Sequence, residues 1–254
     1  MTPPILATED LTVRFGGHVA VDAVTCAFRA GELTAIVGPN GAGKTTYFNL
    51  ISGQIPASAG RVLLRGRNIS GQSVSHRTRA GIGRAFQLTN LFPNLSVLEN
   101  VRLVVQAKAG QGFNLLSMAS RHAELTDAAE GILARVRLLD NRDQVVSELS
   151  HGNQRKLEVA LLIALDPDVY MFDEPTAGMS VDEAPVVLEL IAALKEQKDR
   201  TVLLVEHKMD VIRTLADRII VLHNGALAAD GPPAEVMASD VVQEAYMGRE
   251  LEDV

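Results

Sequence analysis

The 254 residues are 47% hydrophobic and 22% charged, with a net charge of −7, ordinary globular usage in a chain long enough for one large domain or two small ones. The acidic balance excludes a general affinity for nucleic acid phosphates, and the lone Cys26 excludes an internal disulfide and fits a reducing compartment. No apolar run is long enough to cross a bilayer, and Met1–Asp10, acidic at Glu9 and Asp10, predicts no secretory signal.

In chain order the first predicted elements are strands. Leu11–Phe15 and Val24–Phe28 alternate in polarity on either side of the turn signal Gly16-Gly17. Leu33–Val37 is a short apolar run ended by Gly38, read as a buried strand, and a helical pattern follows over Lys44–Ser52. Gly60–Gly66 predicts another strand. From about Leu95 to Leu165 helical periodicity takes over, with Leu157, Ala160, Leu161 and Ala164 on one helix face. Buried strands are then predicted at Val169–Phe172, Thr201–Val205 and Ile219–Leu222, separated by helices at Glu183–Gln197 and Met209–Leu215. Gly231-Pro232-Pro233 breaks the chain before a last short helix ending near Tyr246. Strands alternating with helices predict a mainly parallel α/β sheet with a helical insertion. No internal repeat or low-complexity segment is present.

Chemistry concentrates at three strand ends. Gly38-Pro39-Asn40-Gly41-Ala42-Gly43-Lys44-Thr45 fits the phosphate-loop pattern and lies between a strand and a helix. Its glycines let backbone N–H groups converge on phosphate oxygens, the helix N-terminus adds its dipole, Lys44 supplies a point charge and the Thr45 hydroxyl suits Mg²⁺. The loop alone does not separate kinases, GTPases and ATPases. Val169–Phe172 runs into Asp173-Glu174. Asp173 is placed to hold Mg²⁺ through its water shell, and Glu174 to orient and deprotonate an attacking water. Thr201–Val205 runs into Glu206-His207; a lone histidine there is by itself more often structural, though its imidazole suits a γ-phosphate or a water.

The order phosphate loop, Gln87, Leu149-Ser150-His151-Gly152-Asn153-Gln154, Asp173-Glu174, His207 resembles an ABC-transporter nucleotide-binding domain over essentially the whole chain. The family signature is Leu-Ser-Gly-Gly-Gln; this sequence departs from it at His151 and Asn153. The resemblance implies a P-loop NTPase fold of the ABC type, one ATPase domain over 1–254. Its expected parts are a mixed, mainly parallel sheet core with an antiparallel β subdomain (about 1–87 and 166–230), a helical subdomain insertion (about 88–165) and a tail helix (231–254). ATP and Mg²⁺ are the implied cofactors. The implied nucleotide contacts are Phe15, stacking on adenine where a strand Phe would otherwise read as core, and Gly38, Pro39, Asn40, Gly41, Ala42, Gly43, Lys44, Thr45 and Thr46. Thr45, Gln87 and Asp173 are implied Mg²⁺ ligands, with Glu174, His207 and Gln87 catalytic. Ser150, His151, Gly152 and Asn153 would act on the ATP of a second ATPase subunit. Ser180 stands where the family's D-loop, here Ala177-Gly178-Met179-Ser180, usually ends in Asp.

Arg84-Ala85-Phe86-Gln87, Leu91–Asn100, Thr176–Ser180, Val205-Glu206-His207 and Ala245-Tyr246-Met247-Gly248 are similar to the ATP-binding subunits of branched-chain amino acid importers. That branch implies two transmembrane permease chains, a related second ATPase subunit, a periplasmic substrate-binding protein acting indirectly, and a peripheral place on the cytoplasmic face of the inner membrane. Leu91, Phe92 and Pro93 would contact the permease, or equally pack on their own domain. The alternatives are the ATPase of a lipopolysaccharide-type exporter, and a non-transport ABC ATPase or nucleotide-dependent switch. Glu174 and His207 argue against a pure switch, and the acidic charge against a nucleic-acid role.

Overall fold

The computed structural model describes residues 3–85, 91–110 and 118–239, the side chains of 118–122 aside. Gln87 and the predicted helix end near Tyr246 lie outside these residues. The chain opens with β1 (Leu6–Phe15), β2 (His18–Phe28), β3 (Glu32–Val37), α1 (Lys44–Ser52), β4 (Ala59–Leu64), β5 (Arg67–Asn68), α2 (Val74–Ala80) and β6 (Ile82–Ala85). It continues with α3 (Val97–Lys108), α4 (Met118–Arg135), α5 (His151–Leu165), β7 (Val169–Asp173) and α6 (Ala184–Lys195). Then come β8 (Thr201–Val205), α7 (Met209–Leu215), β9 (Arg218–His223), β10 (Ala226–Gly231) and α8 (Pro233–Met237). The chain forms two compact units: one takes the described parts of Met1–Ile82, Asp168–Glu174 and Ala192–Val254, the other those of Gly83–Pro167 and Pro175–Ile191.

The first unit holds two sheets, and the fold is α/β as the alternation predicts. A four-stranded sheet runs β2-β1-β4-β5, antiparallel throughout. A six-stranded sheet runs β10-β9-β3-β8-β7-β6, and the unit boundary falls within β6. Its β3–β8, β3–β9 and β7–β8 pairs are parallel, and β9–β10 is antiparallel. Parallel strands are covered on both faces, which is why β3, β7 and β8 are continuous apolar runs. Alternate residues of β3 serve two cores. Ile36 joins Phe28, Tyr47, Phe48 and Leu203, so α1 shares its core with both sheets; Ala35 and Val37 join Ile212 and Val236 of α7 and α8. The Thr8 hydroxyl and the Tyr47 hydroxyl are 2.8 Å apart, tying α1 to β1.

The first hairpin is longer than predicted. β2 begins at His18, paired with Phe15 across Gly16-Gly17. Its alternation slips at Ala23 (φ 47°), so that Val21 and Val24, three apart, are both fully buried. β1 slips likewise at Asp10 (φ 46°) between Thr8 and Leu11. Bulges of this kind reset the two-residue period and hide a strand from a pattern reading. The strand predicted at Gly60–Gly66 ends at Leu64, where Arg65 (φ 48°) and Gly66 (φ 75°) turn the chain into β5.

In the second unit α3, α4 and α5 pack on one another. The one-face stripe predicted on α5 is too narrow. Leu157, Ala160 and Ala164 are buried and Leu161 is only partly so, while Val159, Leu162 and Ile163 are buried as well.

Candidate functional site

Gly38 follows β3 directly and lies against the 222–223 peptide: a Cβ there would stand 2.1 Å from the Leu222 carbonyl oxygen, at φ 151°. Gly43 (φ 96°) caps α1, and a Cβ there would stand 2.5 Å from the Ala20 carbonyl oxygen. Only glycine brings the backbone this close, so the loop is seated between β2 and the β9–β10 corner, where Gly225 N donates to Ala42 O at 3.1 Å. No side chain caps α1, which leaves first-turn N–H groups for an anion. Gly41, Asn40 and Thr45 are exposed, or partly so, as are Pro39 and Thr46.

Lys44 is half-buried. Its ammonium donates to the Gly38 and Pro39 carbonyls at 2.7 and 3.0 Å. Burial pulls its pKa below the ordinary lysine value, and the carboxylates of Glu174 and Asp173 pull it back up. The cation, loop and acidic pair therefore share one electrostatic field.

The acidic pair ends β7. Asp173 pairs in register with Val205 of β8, and Glu174 N donates to Val205 O at 2.9 Å. Glu174 stands in the left-handed region (φ 50°), where a non-glycine residue costs about 1–3 kcal/mol. His207 follows β8, and its Nδ1 lies 3.7 Å from Glu174 Oε1. Because β3, β7 and β8 are parallel, their C-terminal ends share one edge, where open α/β sheets bind ligands.

Phe15 is 53% exposed at the end of β1. It closes the hairpin whose β2 abuts Gly43 at Ala20. A core reading of this aromatic is thereby removed.

Thr45 and Asp173 are hard oxygen donors at the head of α1 and the end of β7. Among the described residues there is no group of three or more His, Cys, Asp or Glu that could cage a metal. Mg²⁺ needs no such cage: it takes one or two protein oxygens plus phosphates and waters. The donor set fits it.

The second unit carries the signature residues. Ser150 is the N-cap of α5, its Oγ accepting from Asn153 N at 3.2 Å. A Cβ on Gly152 would stand 2.2 Å from Glu183 Oε2, and one on Gly178 3.1 Å from His151 Nε2, so each glycine is packed on a side chain. Ser180 and Glu183 form a reciprocal cap ahead of α6: Ser180 N donates to Glu183 Oε2 and Glu183 N to Ser180 Oγ, both at 3.3 Å. Phe92 is 53% exposed; Asn100, buried, donates to its carbonyl and accepts from its N–H.

Two site-supporting residues escaped the sequence reading. Arg77, buried on α2, donates Nη1 to the carbonyls of Leu50 and Ile51 at 2.6 and 2.7 Å, placing a cation on the negative end of the α1 dipole. Glu206 is 1% exposed. Neither follows from local pattern, since both depend on elements distant in sequence.

A profile of the family described as ABC transporter matches residues 21–177. The high-affinity branched-chain amino acid transport ATP-binding protein LivG of Salmonella typhimurium is 38% identical over 253 residues, 98% of this chain and 99% of the relative. Among solved structures, the ADP conformation of an ATP-binding cassette of an ABC transporter is 29% identical with a TM-score of 0.82, covering 97% of this chain and 100% of that one. A dimeric post-hydrolysis cassette bound to ADP and Pi is 26% identical with a TM-score of 0.77, covering 90% and 98%.

Proposed function

The chain belongs to the ABC transporter family, and from that premise we propose that it is the ATPase of an importer for branched-chain amino acids or related small polar or amide compounds. It binds and hydrolyses ATP. The observation that carries the assignment is the shared edge of β3, β7 and β8, which gathers the phosphate loop, Asp173-Glu174 and His207, with His207 Nδ1 3.7 Å from Glu174. The branched-chain amino acid transport named for the relative supports this substrate class over a lipopolysaccharide-type exporter.

In the proposed mechanism the loop N–H groups and the head of α1 receive the phosphates, and Lys44 turns from the Gly38 and Pro39 carbonyls to the β- and γ-phosphates. Phe15 stacks on the adenine, which its exposure supports. Thr45 and Asp173, joined by Gln87, would hold Mg²⁺, which when bound would supply positive charge against the phosphate oxygens. Glu174 orients the attacking water and takes its proton, while His207 hydrogen-bonds the γ-phosphoryl group. Ser150, His151, Gly152 and Asn153 at the head of α5 complete the site of a second ATPase subunit.

The core subdomains take about 1–87 and 166–230, the helical subdomain about 88–165 and the tail 231–254. Two permease chains dock on the 87–101 region; the exposed Phe92, held by the buried Asn100, supports a contact there. Among the described residues no helix is long and apolar enough to cross a membrane. In this reading the chain works from the cytoplasmic face of the inner membrane through those permeases, with a periplasmic binding protein beyond them.

Steady-state turnover tests the assignment. Glu174→Gln is expected to lose about 10²- to 10⁴-fold in kcat while still binding ATP, and Lys44→Ala to bind ATP poorly. Equal turnover in wild type and Glu174→Gln would remove Glu174 as the base.

A further inference from the structure

The carboxylate of Glu206 takes no part in the mechanism above, yet it is the one acidic side chain buried among the described residues, at 1% exposure. Taking a carboxylate out of water costs several kcal/mol unless its lone pairs are filled. Here Oε2 accepts from the backbone N–H of His207 at 3.0 Å and of Lys208 at 3.4 Å. These are the two peptide units that carry the chain from β8 into α7, so the carboxylate holds the corner on which His207 stands.

We infer that Glu206 is a positioning residue for hydrolysis: it fixes the His207–Lys208 backbone and, from behind, the orientation of the His207 ring. The inference rests on the role proposed for His207. Glu206 points inward, while the His207 side chain is 57% exposed. His207 Nδ1 lies 4.0 Å from Glu206 Oε2 and 3.7 Å from Glu174 Oε1. Both separations exceed hydrogen-bond length, so their pull is electrostatic. Both carboxylates face the Nδ1 side of the ring, an arrangement that sets Nε2 toward the reacting groups, as partners behind catalytic and metal-binding imidazoles do. Glu174 N is tied to Val205 O, so the base and the imidazole are set by adjoining peptides of one corner.

The test uses the full chain and reads kcat, KM for ATP and Tm in Glu206→Gln, His207→Ala and the double variant. Glutamine keeps the shape and an acceptor oxygen but removes the charge. Glu206→Gln is expected to lower kcat about tenfold with KM and Tm close to wild type, and to cause no further loss when His207 is already alanine. Glu206→Ala, which also strips the acceptor from both N–H groups, is expected to lose more; the glutamine variant decides the matter if the alanine variant does not fold. Wild-type kcat in Glu206→Gln, a loss only in Tm, or an equal kcat loss in the His207→Ala background would overturn the inference. Wild-type turnover in His207→Ala alone would overturn the role of His207 and this inference with it, a result distinct from the other three.

Discussion

Glu174 shows at a single residue how the site departs from what stability alone would select. Its φ of 50° suits glycine, so Glu174→Gly is expected to raise stability by about 1 kcal/mol while abolishing measurable hydrolysis. Thermal unfolding beside an ATPase assay checks both halves, and a Tm fall in the glycine variant would deny the strain. Cys26 makes the opposite case of a reactive residue made inert. Burial pushes its thiol to about 11, so the native thiol is expected to resist a maleimide at pH 8 and to react once the chain is unfolded. Because the folded value is raised, the thiol's contribution to stability is complete below the unfolded pKa of about 9 and fades as pH rises toward 11. At this scale Lys44, Asp173 and Glu174 were legible in sequence because a loop or apolar strand announces each of them. Glu206 was not, since its burial depends on the surrounding fold.

Among the elements, α1 and α7 match their predicted bounds; β8 does too and β3 and β7 differ by one residue, because a parallel strand is a bare apolar run ended by the chemistry it carries. The elements missed have physical reasons. α2 is mostly polar, with Arg77 its buried residue, and so shows no helical stripe; β10 is rich in alanine and only partly buried; β1 and β2 were predicted only in their second parts because they change phase at Asp10 and Ala23. Two predictions belong here. Arg77→Ala strips a charged donor from the last turn of α1 and is expected to cost about 3 kcal/mol, lowering Tm by roughly 6–12 °C. Arg77→Lys should recover part of it in the same calorimetric scan, keeping the charge but losing the fork. Gly38→Ala, with no room against the Leu222 carbonyl, is expected to destabilise by about 2–3 kcal/mol and to weaken ATP binding more than an exposed Gly41→Ala change, as titration with a fluorescent nucleotide would show.

For the whole molecule, one chain carries both proposed half-sites: a phosphate cradle at the edge of the parallel sheet, and the head of α5 capped by Ser150. The local strand–loop–helix and the Ser150 cap were legible in the sequence, because each is a local signal. The packing of Gly152 on Glu183 and of Gly178 on His151 was hidden, since it joins α5 to the segment before α6 across some thirty residues of sequence. In the proposed mechanism each half-site acts with its counterpart on a second chain, so ATP binding is expected to draw two copies, or this chain and a related one, head to tail. Glu174→Gln keeps the triphosphate intact, so its mass by light scattering with and without saturating ATP and Mg²⁺ is the most direct measurement. Two chains with ATP and one without is the predicted result, reversed by Ser150→Arg; a mass of one chain at saturating ATP, alone and mixed with a related ATPase subunit, would contradict it.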